Sequence, residues 1–195
     1  MKTPRGDGSG KSTQARLLAE ALEALLTREP GGTPIGEAIR AVVLDPAFEE
    51  LAGRTEALLM AASRAQHVDE VIIPALERGQ HVISDRFVAS SLAYQGIGRG
   101  LGIEAVADIN RFATAGLEPD LVVLLDVRTD AARERLGDEL DRIEAAGTDL
   151  AAAVVATYRE LAAADPEHWI VIAAEGTIDE VHAAVLAAVS ERLPS

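Results

Sequence analysis

The sequence predicts an α/β fold in which a parallel sheet is covered by helices on both faces. Three observations predict it. Short continuous apolar runs at 81–84, 121–125 and 169–173 have the length and composition of strands buried on both faces. Stretches with apolar residues at helical spacing separate these runs, and parallel strands require such crossovers. A glycine-rich segment ending in Gly10-Lys11-Ser12 opens the first helix, a junction where α/β sheets hold ligands.

The elements follow in order. Residues 12–25 carry Leu17, Leu18, Ala21, Leu22 and Leu25, the stripe of an amphipathic helix. A short apolar piece at 24–27 leads into the breaker run Glu29-Pro30-Gly31-Gly32. Residues 35–44 read as a helix. A longer one covers 53–78, with Leu58, Ala61, Ala62, Ala65, Val68, Ile72 and Leu76 on one side. Further helical stretches are expected at about 103–114, 129–136, 149–164 and 178–192. The runs at 81–84 and 121–125 end at Asp85-Arg86 and at Asp126, and ligands of parallel sheets collect beyond the carboxyl ends of strands.

A chain of 195 residues has room for one domain and a substantial core, so a single domain over 1–195 is expected. Hydrophobic residues make up 48% and charged residues 26%, which places the chain among folding globular sequences rather than disordered ones. Its net charge of −14 repels polyanions, so broad binding to nucleic acid or anionic membrane is not expected and any anion site must be local. No apolar stretch approaches the roughly 20 residues that span a bilayer. With no secretory h-region and no cysteine, a cytoplasmic setting is the expectation. The four histidines, His67, His81, His168 and His182, lack ligand spacing.

Gly6-Asp7-Gly8-Ser9-Gly10-Lys11-Ser12-Thr13 has the parts of a nucleotide triphosphate loop. Glycines let backbone N–H groups curl around phosphate, the helix N-terminus adds partial positive charge, Lys11 bridges terminal phosphates and the Ser12 hydroxyl suits Mg²⁺. A strict G-x-x-x-x-G-K-[ST] pattern has glycine where Arg5 stands. Such a loop also follows a buried strand, and only Met1-Lys2-Thr3-Pro4 precede Arg5 here. The first strand of the sheet is therefore expected to be missing. For Asp85-Arg86, position alone allows either a site for Mg²⁺ and phosphate or a capping ion pair.

Several segments occur together in this order: the loop, Thr27-Arg28-Glu29-Pro30-Gly31-Gly32-Thr33, Ser63-Arg64-Ala65-Gln66, Asp85-Arg86-Phe87, Ser90-Ser91-Leu92-Ala93-Tyr94-Gln95-Gly96, Gly98-Arg99-Gly100 and Glu139-Leu140-Asp141-Arg142-Ile143-Glu144. In combination they resemble the bacterial thymidylate kinases from about Gly6 to the C-terminus. The resemblance implies a three-layer P-loop kinase fold and phosphorylation of dTMP to dTDP with ATP and Mg²⁺, usually by a homodimer. It implies ATP on Gly6, Asp7, Gly8, Ser9, Gly10, Lys11, Ser12 and Thr13, and metal near Ser12 and Asp85. It assigns dTMP to Asp7, Arg28, Pro30, Met60, Arg64, Arg86, Ser91, Tyr94 and Gln95. Lys11, Arg86, Arg135 and Arg142 become the catalytic cations, the last two from a short lid at about 133–147. Arg133 is either a third lid cation or one partner of a solvated ion pair. Glu29-Pro30 is implied to be cis by the resemblance, whereas trans is the commoner state of any such bond.

Met60 occupies a position where relatives commonly place an aromatic ring, and a thioether orients a base less firmly. The alanine-rich stretch 150–158 lacks acidic and arginine residues that relatives carry there. With Arg5 and the expected loss of the first strand, these departures leave a second reading open: a catalytically impaired or truncated homologue that binds nucleotide without efficient turnover.

Overall fold

The computed structural model describes residues 10–127, 142–143 and 147–193 of the chain. Its first helix, α1 (Lys11–Ala21), starts at Gly10, whose φ of 82° lies in the left-handed region that glycine enters without penalty. The helix ends short of the expected residue 25, because Glu23 turns the chain with a φ of 51° and frees Leu25 for pairing. Strand β1 (Leu25–Arg28) follows. Helix α2 (Pro34–Leu44) has proline in its first turn, where the missing N–H is harmless, and the Thr33 hydroxyl accepts from Gly36 N–H as its cap.

The expected long helix over 53–78 is three pieces: α3 (Gly53–His67), a wider π-type turn (Val68–Ile72) and α4 (Ile73–Glu77). Pro74 explains the interruption. It has no N–H, and its ring would strike the carbonyl of Glu70 in a regular α ladder, so the preceding turn widens. Strand β2 (Val82–Asp85) leads to α5 (Val88–Ser91), a second π-type stretch (Leu92–Gly98) and α6 (Ile103–Ala113). Then come β3 (Val122–Asp126), α7 (Thr148–Ala164), β4 (Trp169–Ala173) and α8 (Ile178–Arg192). The helix expected at 129–136 lies outside the described residues.

All strand pairing among the described residues is parallel. β1 lies against β2 with Leu25 opposite Val82, and β3 lies against β4 with Val122 opposite Trp169. Among the described residues these remain two separate pairs with no strand joining them. Residues 1–9, where a first strand would precede the loop, lie outside the described residues. The strands were expected to be buried on both faces, yet most of their residues are only half-buried, and β4 leaves Val171 53% exposed. Among the described residues every strand is an edge, with one side that no described strand covers.

An apolar core nonetheless bridges the two pairs. Leu18, Val127, Ile170, Ala174, Val181, Val185 and Val189 form its buried centre, and Ile83 of β2 packs on it together with Val123 and Leu125 of β3. Helix α1 packs on both β2 and α8, which sets the start of the phosphate loop helix beside the end of β2. On the other side, α2 packs on α3 and α3 on α6, framing a cleft beside β2.

Candidate active site

Two sequence-distant residues meet where α1 begins. Ser12 Oγ donates to Asp85 Oδ2 at 2.5 Å across 73 positions of sequence. Gly10 provides no side-chain cap to α1, and the first N–H groups of any helix lack intrahelical acceptors. Donors, a hydroxyl and a carboxylate therefore converge at one point. Gly6, Asp7, Gly8 and Ser9 lie outside the described residues.

The chain turns sharply after Asp85, with Arg86 at a φ of 74°. This non-glycine residue in the left-handed region aims its guanidinium over the Tyr94 ring, 5.2 Å from the centroid. Arg86 also donates to Ser90 Oγ at 3.4 Å and to Tyr94 Oη at 3.5 Å. The cleft beside it is lined by Glu29, Pro30, Arg40, Leu44, Met60, Arg86, Ser90, Tyr94, Gln95 and Ile143. Five of the expected substrate residues thus share one wall: Pro30, Met60, Arg86, Tyr94 and Gln95. The Glu29-Pro30 bond is cis.

Four expected site residues stand elsewhere. Arg28 does not line the cleft; its Nη2 reaches both Glu37 oxygens at 2.9 Å, and the pair is half exposed. Arg64 is 1% exposed and lies behind the cleft wall. Its Nε donates to Glu29 Oε2 at 2.7 Å, its Nη1 to Ser91 Oγ at 3.0 Å and to Asn110 Oδ1, and its Nη2 to the Phe87 carbonyl at 3.2 Å. Ser91 is buried beside it. Arg142, expected to reach the transferred phosphate, is instead buried: Nη2 donates to Glu56 Oε2 at 2.5 Å and Nε to the Val43 carbonyl at 2.8 Å. A guanidinium that commits Nε to a backbone carbonyl and Nη2 to a buried carboxylate anchors the segment that carries it. Arg133 and Arg135 lie outside the described residues.

Glu29 is the hinge of the wall. Its carboxylate is buried between Arg64 and His67, with His67 Nδ1 2.8 Å from Oε1, while His67 Nε2 sits 2.6 Å from Thr27 Oγ1. Gly32 permits this packing, since a Cβ there would lie 2.8 Å from the His67 ring. Glu29 thereby holds the turn that carries Pro30 into the cleft.

Sequence reasoning missed Arg40, Ser90 and Glu56. Arg40 lines the cleft and its Nη1 donates to the Pro30 carbonyl at 2.8 Å. A signal existed, for Arg40 is the single charge in the otherwise apolar run from Ala38 to Leu44. Ser90 Oγ meets Tyr158 Oη at 2.8 Å, joining α7 to the cleft wall. Glu56 looks like any acidic residue in the first turn of a helix, and nothing local marks it as buried.

Known proteins give the same reading. The family model described as Thymidylate kinase matches residues 6–185. The thymidylate kinase of Desulforudis audaxviator is 52% identical over 176 residues, covering 87% of this chain and 80% of the relative. That of Pelotomaculum thermopropionicum is 48% identical over 195 residues, covering 96% and 90%. Among solved structures, the crystal structure of thymidylate kinase from Ehrlichia chaffeensis superposes with a TM-score of 0.78 at 30% identity, covering 94% of each chain. A parallel α/β scaffold with a phosphate-loop helix beside Asp85-Arg86, matched over nearly its whole length, makes this chain a member of the thymidylate kinase family, with that family's P-loop kinase fold.

Proposed function

We propose that the chain transfers the γ-phosphoryl group of ATP to dTMP, yielding ADP and dTDP, as a single catalytic domain over 1–195. The observation that carries this reading is the contact between Ser12 and Asp85 directly beside Arg86 and the cleft. Long matches to thymidylate kinases support it, and none of them favours the alternative of an impaired homologue.

In this reading Lys11 and the main-chain amides of 8–13 hold the ATP phosphates. The hydroxyl and carboxylate of Ser12 and Asp85 are hard oxygen donors of the kind Mg²⁺ prefers, and the ion would neutralise charge on the phosphates in flight. Arg86 holds the phosphate of dTMP, Met60 covers the base and Tyr94 borders the sugar. An oxygen of the acceptor phosphate attacks the γ-phosphorus while the bond from that phosphorus to the bridging β–γ oxygen breaks, and the electron pair leaves on ADP. The attacking oxygen is already anionic, so alignment and charge neutralisation suffice and no general base is needed. Arg135, which the resemblance assigns to the reaction, would add positive charge beside the phosphates. Arg142 anchors its own segment to Glu56 and Val43.

A homodimer forms part of the proposal. Phe112 on α6 is 90% exposed and Leu58 on α3 is 58% exposed, an apolar display that suits a partner copy. The cytoplasmic setting belongs to it too, since ATP and dTMP are the substrates.

A coupled ADP-release assay with dTMP, dUMP, dGMP and AMP tests the reaction. Turnover of dTMP above the others is expected, and no preference for it would reject the substrate. Lys11→Ala is expected to lower kcat by about 10²–10³-fold with an unchanged thermal midpoint. Gel filtration at two concentrations tests the dimer.

A further inference from the structure

Arg99 and Arg142 take no part in the chemistry above, and both converge on Glu56. This carboxylate has no exposed surface. Gln95 Nε2 donates to its Oε1 at 2.7 Å. Arg99 donates through Nε at 3.2 and 3.3 Å to the two oxygens and through Nη2 at 3.0 Å to Oε2. Arg142 Nη2 completes the set at 2.5 Å. Gly53 makes room for this, because a Cβ there would sit 3.1 Å from the Arg99 Cβ.

An ionised carboxylate only accepts hydrogen bonds, so the end of the Gln95 carboxamide that faces Glu56 must be the NH₂. The oxygen is then the end left over. Gln95 is fully buried and lines the cleft, and its Oε1 has no hydrogen-bond partner among the described residues. A buried acceptor without a partner is costly, and a ligand that brings an N–H removes the cost.

We propose that Glu56 is a positioning residue for base selection: by holding the NH₂ of Gln95, it fixes the carboxamide oxygen as an acceptor for the imide N–H of a 2,4-dioxopyrimidine. The inference rests on the dTMP reading above. Cytosine carries a lone pair where thymine carries that proton, so it meets oxygen against nitrogen lone pair and is rejected. Because Arg142 grips the same carboxylate, the segment that carries it and the base selector share one anchor. Arg99 supplies the second positive charge, which keeps the carboxylate ionised.

Glu56→Gln tests this. Arg99 and Arg142 will claim the carboxamide oxygen at position 56, its NH₂ will face Gln95, and the Gln95 carboxamide will turn its own NH₂ outward. The ratio of kcat/KM for dTMP to that for dCMP is expected to fall by roughly tenfold or more, through a rise in KM for dTMP and a gain for dCMP. A merely structural role would lower both substrates together, so a ratio within about twofold of the unaltered chain overturns the proposal. If Glu56→Gln does not fold by circular dichroism, calorimetry on the unaltered chain decides. N3-methyl-dTMP, which lacks the imide proton, is expected to bind roughly tenfold or more weakly than dTMP, and equal affinity overturns the proposal. An unaltered chain that turns over no dTMP refutes the substrate reading instead, and is told apart by that control.

Discussion

The two halves of the molecule are held by different physics. Around β3, β4 and α8 the buried centre is aliphatic, with Ile170, Val181, Val185 and Val189 at its heart. Around β1, β2 and α3 the largest fully buried side chains are polar: Arg64, His67, Gln95 and Glu56, with the smaller Asn110, are all under 2% exposed, beside aliphatic residues such as Val43 and Val68. Aliphatic packing is non-directional and tolerates small shifts, whereas a buried ion network is stable only when each donor meets its acceptor. The polar half fixes the atoms that line the cleft, and the aliphatic half sets the strands from which that half is built.

The comparison breaks most sharply at Arg64. Arg64→Met leaves the Glu29 carboxylate buried beside His67 alone, and is expected to cost about 3–5 kcal/mol in urea unfolding. The aliphatic half should answer more mildly. Val185→Ala removes two methyl groups at a 2% exposed site and should cost about 2 kcal/mol in the same measurement. Equal losses at the two sites would dissolve the distinction between the halves.

Acid sharpens it. Burial pushes the Glu56 carboxyl up, but hydrogen bonds from Arg99, Gln95 and Arg142 and the Arg99 charge outweigh burial, so its pKa lies below the ordinary 4.5. The ionised group therefore stabilises the fold fully above that value, and its contribution fades as the pH falls through the lowered pKa. Thermal midpoints measured from pH 6 to pH 3 should drop more steeply for the unaltered chain than for Glu56→Gln, while Val185→Ala should follow the unaltered slope. The smallest effect is expected at the surface of the aliphatic half. There Thr177 and Glu180 form a reciprocal cap at the start of α8, and Thr177→Ala should lower the midpoint by about 2–4 °C.

Legibility differed between the halves for the same reason. Trp169–Ala173 and Ile178–Arg192 were readable to the residue because apolar period is a local property of the chain. The phosphate-loop helix was readable from Gly10, Lys11 and Ser12, since the chemistry of the motif lies in consecutive residues. The break in the helix at Val68–Ile72 is announced by Pro74, although the apolar period runs on through it. In the polar half, Pro30, Met60, Tyr94 and Gln95 were identified through resemblance, and the cleft brings them together.

By itself, then, the sequence determined the order of strands and helices, the phosphate loop and the family, because these depend on local period and on short motifs. Tertiary structure alone decided that Ser12 would touch Asp85, that Arg64 and Arg142 would serve buried carboxylates, and that Glu56 would gather three donors. A charged residue in a sequence is solvated by default. It stays buried only where the fold delivers a partner from tens of residues away, and that delivery depends on packing that no local pattern encodes.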